Sequence, residues 1–361
     1  MRCVSRCSNP SDFSGNTRDC RVGQDARGRA ADGAAAPLLA HGAGVISLET
    51  DGGRPLVPPG ASISETPIRF PALDGYSLGG TVFASLATGQ SSTVVLLSCG
   101  GGVPAARYAR FARFLASEGI STLTYDYRGI GASRPQNLRG FGAVAEDWSE
   151  LDCGGAITYL RTHYPRAEIV GIAHSIGALL IGGAPNIAEV TRFVFICAHT
   201  GYFGDYMARY RLPMALLWHL IMPLVTRVVG YFPAKILRLG EDLPAGIAMQ
   251  WGARRRADLQ PEATATDVTR ARSMIARYKN VTGSVLVVGF SDDAFATESG
   301  TRRLLAQFPR LRPEVHRIAP SEMGMDTIGH FGFFRRDAET KLWPIVVRFL
   351  RRGWDTRCPR V

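Results

Sequence analysis

The run Glu168-Ile-Val-Gly-Ile-Ala-His-Ser-Ile-Gly-Ala-Leu-Leu180 constrains this chain more than any other stretch. An apolar, β-branched segment enters Ser175, and small and apolar residues with helical character leave it. A strand that turns into a helix so sharply leaves no room for side chains two positions before and after the turn residue. Ala173 and Gly177 meet that need, and the result is an elbow that exposes a hydroxyl above a sheet edge. Many such elbows carry Gly where this chain has Ala173, so the five residues alone are also compatible with a plain strand-to-helix turn. The surrounding pattern has to decide between the two.

That pattern is an alternation. Ile63 to Phe70 and Tyr76 to Ser85 read as two antiparallel strands, with Asp74-Gly75 as the turn between them. Thr93 to Ser98 is an apolar run suited to a sheet buried on both faces, and Tyr108, Phe111, Phe114 and Leu115 follow at helical spacing. Ser121 to Tyr127, Ile169 to Ala173, Arg192 to Ala198, Val285 to Phe290 and Val315 to Ile318 read as further strands. Helices are expected over Ala143 to Tyr164, after the elbow, over Thr297 to Gln307 and over Asp337 to Arg351. Strands alternating with helices imply an α/β domain with a mostly parallel sheet and right-handed crossovers. The core is expected over 61-201 and 279-353. Residues 202-278 break the rhythm as an insertion, and residues 1-60 have Gly, Ala, Ser, Asp and Pro without period, the composition of a disordered extension.

The insertion carries Leu212-Pro-Met-Ala-Leu-Leu-Trp-His-Leu-Ile-Met-Pro-Leu-Val225. Pro213 and Pro223 are expected to interrupt it, and Arg209, Arg211 and Arg227 bracket a stretch shorter than the roughly 20 residues a bilayer needs. A helical cap over an apolar pocket is therefore expected in place of a transmembrane span. A plain core helix is the alternative.

With 361 residues, 46% hydrophobic and 20% charged, the chain can bury a large core. Its formal charge of +11 raises nucleic acid as a partner, but the Arg residues are scattered and form no stripe interleaved with aromatics. Anionic substrates or lipid head groups suit that charge better, which leaves peripheral lipid contact open. Cys99, Cys153 and Cys197 fall in apolar patterns and read as core thiols; Cys3, Cys7 and Cys20 lack the partners of a metal knuckle. No continuous apolar segment follows the first basic residues, so a reducing cytoplasm is the expected compartment.

A Ser hydroxyl needs a base, a group that orients the base, and donors for the developing oxyanion. His330 stands in Thr327-Ile-Gly-His-Phe-Gly-Phe-Phe334, a Gly-flanked loop after the last strand, where a base can reach the elbow. An imidazole titrates near about 6.5, which suits proton transfer at neutral pH. His199, at the end of the strand after the elbow, is the rival base. His174 precedes the Ser and is expected to point away from its hydroxyl, while His163 and His316 read as surface. For the acid, Asp292 and Asp293 follow an apolar strand, and Asp293 is preferred; helix capping by both is the alternative. Gly100-Gly-Gly102 follows the third strand, so Gly101 and Ile176 are the expected backbone donors to an oxyanion. No GxxxxGK[ST] and no GxGxxG opening a helix is present, which argues against a nucleotide site.

With these residues in place, Thr124-Tyr-Asp-Tyr-Arg-Gly-Ile-Gly-Ala-Ser-Arg-Pro135 resembles the strand-and-turn signature of α/β-hydrolases. Gly102-Val-Pro104, Gly230-Tyr-Phe-Pro-Ala234, Gly240-Glu-Asp-Leu-Pro244, Gln250-Trp251 and Gly329-His-Phe-Gly-Phe-Phe334 are similar to a bacterial group near the serine aminopeptidase and monoacylglycerol lipase-like branch. The resemblance runs from about 60 to 350. It implies an eight-stranded sheet, a triad of Ser175, Asp293 and His330, and hydrolysis without metal or cofactor. The chain departs from the wider family at Ala173 and at Cys99, where many members have His. The expected function is a serine hydrolase acting on a small ester or thioester, with an apolar acyl group suggested by Trp218, Leu216, Leu217 and Met222. A non-catalytic binding protein on the same fold remains an alternative, as does a C–C bond hydrolase or haloperoxidase using the same triad.

Overall fold

The computed structural model describes residues 63–86, 92–259 and 268–352. The expected extension over 1-60, with Cys3, Cys7, Cys20 and His41, lies outside the described residues, as does Cys358. The described residues open on β1 (Ile63–Pro71) and β2 (Ser77–Ser85), joined by the Asp74-Gly75 turn, in which Gly75 takes a φ of +85°. β3 (Thr93–Ser98), α1 (Ala109–Ser117), β4 (Ser121–Tyr125), α2 (Gly154–His163), β5 (Glu168–His174), α3 (Gly177–Gly182) and β6 (Val190–Ile196) then alternate. A π-helical segment, Asp147–Cys153, leads directly into α2.

The main sheet has eight strands. To describe its order, β9 (Gly283–Phe290) and β10 (Leu311–Ile318) are needed, with the two-residue β7 (Tyr231–Phe232) and β8 (Leu243–Pro244) forming a separate ladder between them in sequence. The order is β1-β2-β4-β3-β5-β6-β9-β10. Only the β1–β2 and β2–β4 pairs are antiparallel, and every pair from β4 to β10 is parallel. The chain reverses its direction across the sheet at β3, so β5 takes a central place. A strand there is covered on both faces, which is why Ile169, Val170, Ile172 and Ala173 are all buried.

Some ends differ from the sequence expectation. The last helix, α9 (Trp343–Arg351), begins six residues after Asp337, because Pro344 sits in its first turn, where a missing N–H costs nothing. α8 (Glu298–Leu305) begins after Thr297, whose side chain accepts the Gly300 N–H as an N-cap.

The insertion requires a correction. Pro213 and Pro223 do not interrupt it: α4 (Ala208–Leu216), a π turn (Leu217–Ile221) and α5 (Met222–Val229) form one helical run of 22 residues. The π turn ends just before the first turn of α5, so the shift in hydrogen-bond register falls where Pro223 has no N–H to offer. By length and composition this run is long enough to cross a membrane, longer than the interrupted stretch expected from its prolines. α6 (Ala245–Ala253) crosses it closely: a Cβ on Gly252 would lie 2.8 Å from the Trp218 carbonyl oxygen. Gln250 fixes α6 to the core by accepting from Ala145 N at 2.8 Å and donating to Glu146 at 2.7 Å. α7 (Val268–Tyr278) instead packs on the core, where Arg270 and Arg277 both pair with Glu150.

Candidate active site

The polar side chains of the site follow the carboxyl ends of strands, the edge where open parallel sheets bind ligands. β5 ends at His174, and Ser175 follows with φ +58°, a region that a non-glycine residue enters only under constraint. The constraint is the approach of α3 to β3. A Cβ on Gly177 would lie 2.6 Å from the Cys99 carbonyl oxygen and 2.7 Å from that of Ser98. Ala173 is fully buried, and the turn forms around it.

Ser175 Oγ lies 3.1 Å from His330 Nε2, and His330 Nδ1 lies 2.8 Å from Asp293 Oδ2. Three residues spread over 155 positions of the chain thus meet. Asp293 is buried, and its Oδ1 accepts the N–H groups of Phe295 at 2.8 Å and Ala296 at 3.0 Å. Burial works to raise its pKa, but the hydrogen bond and charge of His330, with those two N–H groups, hold it well below the usual carboxylate range. An ionised Asp293 accepts a hydrogen bond from the Nδ1–H of His330 and so leaves the Nε2 lone pair facing Ser175. Asp292 does a different job. Its oxygens accept the N–H groups of Ile328 at 2.8 Å and Gly329 at 3.0 Å, clamping the loop that carries His330.

His199 also reaches the serine: its Nε2 lies 3.1 Å from Ser175 Oγ. Its Nδ1 accepts the Gly201 N–H at 2.9 Å, so the one proton of the neutral ring sits on Nε2. Burial, and then the charge of His330, push its pKa down to about 3, so the ring stays neutral at physiological pH. His199 therefore donates to Oγ, whereas His330 accepts from it. The two histidines flank one hydroxyl with opposite polarity.

His174 points away from the hydroxyl, into a chain of hydrogen bonds. The Gly100 N–H donates to Tyr108 Oη at 2.9 Å, Tyr108 Oη donates to His174 Nδ1 at 2.9 Å, and His174 Nε2 donates to the His330 carbonyl oxygen at 3.0 Å. Burial and the neighbouring His330 push the His174 pKa well down, so it too stays neutral. In the sequence Tyr108 is marked only by its helical spacing with Phe111, Phe114 and Leu115, and nothing in the local pattern marks its hydroxyl.

Gly101 and Ser175 border one cavity of about 770 Å³. A Cβ on Gly101 would lie 2.7 Å from Ile176 Cδ1 and 2.9 Å from the Trp251 ring, so any larger residue there would have to displace those side chains. Among the described residues, no protein acceptor takes the N–H of Gly101 or of Ile176. The insertion supplies an apolar wall through Met214, Leu217, Trp218 and Met222. A smaller cavity of about 130 Å³, lined by Ile176, shares Trp251 with it.

His174, Cys197 and His330 bring potential metal ligands within 4.8 Å of one another. Each ring nitrogen already has a partner: Tyr108 and the His330 carbonyl for His174, Asp293 and Ser175 for His330. Burial holds the Cys197 thiol well above its usual pKa, far from the thiolate a metal would need. The donor set does not fit a metal.

Residues 94–340 match the model of the alpha/beta hydrolase family, and the chain belongs to that family. No curated protein matches the chain. Among solved structures it is similar to an esterase of Pyrococcus furiosus, Pf2001, at 16% identity and a TM-score of 0.52, covering 81% of this chain and 91% of the esterase. It is likewise similar to DcsB in complex with a substrate analogue, at 16% identity and a TM-score of 0.54, covering 80% of this chain and 98% of DcsB. At such identities the likeness is one of fold.

Proposed function

We propose that the protein is a serine hydrolase that cleaves an ester or thioester with an apolar acyl group. The observation that carries this reading is the relay in which Ser175 Oγ stands 3.1 Å from one nitrogen of His330 while the other stands 2.8 Å from buried Asp293. Family membership supports hydrolysis as the reaction class.

In the proposed reaction Ser175 Oγ attacks the acyl carbon as its proton passes to His330 Nε2. Asp293 stabilises the imidazolium through Nδ1–H. The oxyanion takes the free N–H groups of Gly101 and Ile176. Collapse of the tetrahedral intermediate expels the alcohol or thiol, which receives the proton held on His330. Water then hydrolyses the acyl-enzyme by the same route in reverse.

His330 is assigned as the base over His199 because the hydrogen bond from Gly201 leaves His199 no free lone pair toward the serine. His199 is instead a positioning residue that holds Oγ on the lone-pair side of His330. The apolar wall of Met214, Leu217, Trp218 and Met222 supports an acyl chain over a charged peptide.

Labelling with a fluorophosphonate probe tests the nucleophile. The wild type is expected to label and Ser175→Ala is not; equal labelling of both removes the assignment. Turnover across a chain-length series of p-nitrophenyl esters tests the substrate class. Folded protein with no turnover on any ester would favour the non-catalytic binding reading.

A further inference from the structure

The helical run of α4, the π turn and α5 is apolar on two opposite sides, and only one of them is covered. Trp218, Met222 and Thr226 lie four residues apart and are buried against the rest of the protein. Leu212, Leu216, Leu220, Leu224 and Val228 are also four residues apart but offset by two positions, which in a helix is the opposite side. They face outward: Leu212 is 78% exposed, Leu220 57% and Val228 77%. In an unbroken α-helix such a stripe would drift round the axis, and the wider π turn at Leu217–Ile221 offsets part of that drift. Ile236, 81% exposed, and Leu237 and Leu239 extend the outward apolar residues into the loop before β8. Leu239 and the neighbouring Arg238 also line the mouth of the cavity that holds Ser175.

The exposed charge around this face is mainly basic, and Lys235 is paired with Glu241 at 2.8 Å. From 206 to 240 the chain has five basic residues, Arg209, Arg211, Arg227, Lys235 and Arg238, and no Asp or Glu. All five side chains are exposed. Among the described residues no carboxylate pairs with Arg209, Arg227 or Arg238. We propose that this face docks on an anionic lipid bilayer, with the leucine stripe in the acyl boundary and the basic residues among the headgroups. The run lies on the membrane and does not span it, because its other side is occupied by Trp218, Met222 and the crossing helix α6. Pairing of two copies through the same face would bring Arg209 and Arg227 of each copy toward those of the other with no acid to meet them. A bilayer supplies the missing anions. The proposal stands on the surface alone and does not depend on Ser175 being a nucleophile.

The test is co-sedimentation of the full chain with vesicles of phosphatidylcholine alone and of phosphatidylcholine with phosphatidylglycerol, at low and high salt. The wild type is expected to bind the anionic vesicles and to lose binding at high salt. The triple variant Leu212→Ser, Leu220→Ser, Leu224→Ser should keep its melting temperature and its turnover of a short soluble ester while binding falls about tenfold or more. Arg209→Glu with Arg227→Glu should weaken binding to the anionic vesicles as well. Three outcomes overturn the proposal: no wild-type binding to either vesicle, undiminished binding by the folded triple variant, or a wild-type dimer that the triple variant dissociates while vesicles are ignored. Binding that appears only after removal of residues 1–62 would assign the face to that segment and overturn it too.

Discussion

The carboxyl edge of the sheet and the α4–α5 run are held by different physics, and the contrast explains what each can do. At the sheet edge, directional bonds fix every key group: Asp293 accepts three, Asp292 accepts two, and His174 is bonded at both ring nitrogens. Such a network has one good geometry, and a small displacement leaves a buried polar atom unpaired. The helical run has few ties of that kind; His219 Nδ1 reaches the Gly252 carbonyl oxygen at 2.7 Å, Arg211 Nε donates to the Tyr206 carbonyl oxygen at 2.8 Å, and apolar contact predominates elsewhere. Apolar contact is non-directional and tolerates rearrangement. Rigidity is therefore concentrated where protons move, and adaptability where an apolar group must enter.

If that contrast is right, the largest losses come from the sheet edge. Ser175→Ala should lower kcat about 10⁶-fold with the melting temperature unchanged, as read by ester turnover and calorimetry. Asp293→Asn should cost about 10⁴-fold in kcat, because an amide there favours the wrong tautomer of His330. His199→Phe removes a single neutral hydrogen bond to Oγ and should lower kcat about tenfold with little change in KM. His199→Gln, which keeps a side-chain N–H, should recover part of that loss; a loss as large as that of Ser175→Ala would instead make His199 the base.

Much of this edge was legible in the sequence because its chemistry depends on local pattern. Ser175 was marked by the small residues at 173 and 177, His330 by flanking glycines, and the acid by its place after an apolar strand. The choice between Asp292 and Asp293 was not legible, since adjacent residues at a strand end differ only in which way they face. The structure separates them by partner, backbone N–H for Asp292 and imidazole for Asp293. The pairing of His199 with Ser175 depends on β5 and β6 being neighbours in register, with Ala173 opposite Phe195, which no local pattern encodes. The same limit hid the continuity of the insertion helix, where proline was read as a stop and the π turn that accommodates it left no mark in the sequence.

A smaller effect separates the regions by pH. His174 and His199 are neutral in the folded protein, with pKa values pushed below the ordinary imidazole value, to about 3 for His199. The unfolded chain takes up those protons first, so this contribution to stability is complete above about pH 6.5 and is lost as pH falls toward the folded values. The slope is at most about 1.4 kcal/mol per pH unit for each histidine. Urea melts between pH 7 and 5 should show it, and His199→Gln should remove one histidine's share. A stability that stays flat over that range would mean that the site holds its histidines charged.

The smallest effect should come from the outward side of the helical run, compared with its inward side. Met222 is buried beside the cavity, so Met222→Ala should cost about 2 to 5 kcal/mol by deleting buried surface and leaving a void. Leu220, two residues earlier and 57% exposed, should change stability by no more than about 0.5 kcal/mol as Leu220→Ser, because most of its surface already faces solvent. Chemical denaturation of the two variants at one protein concentration makes the comparison. Equal costs at both positions would mean that the outward leucines are covered in solution by protein, and the two sides of the helix would no longer differ in kind.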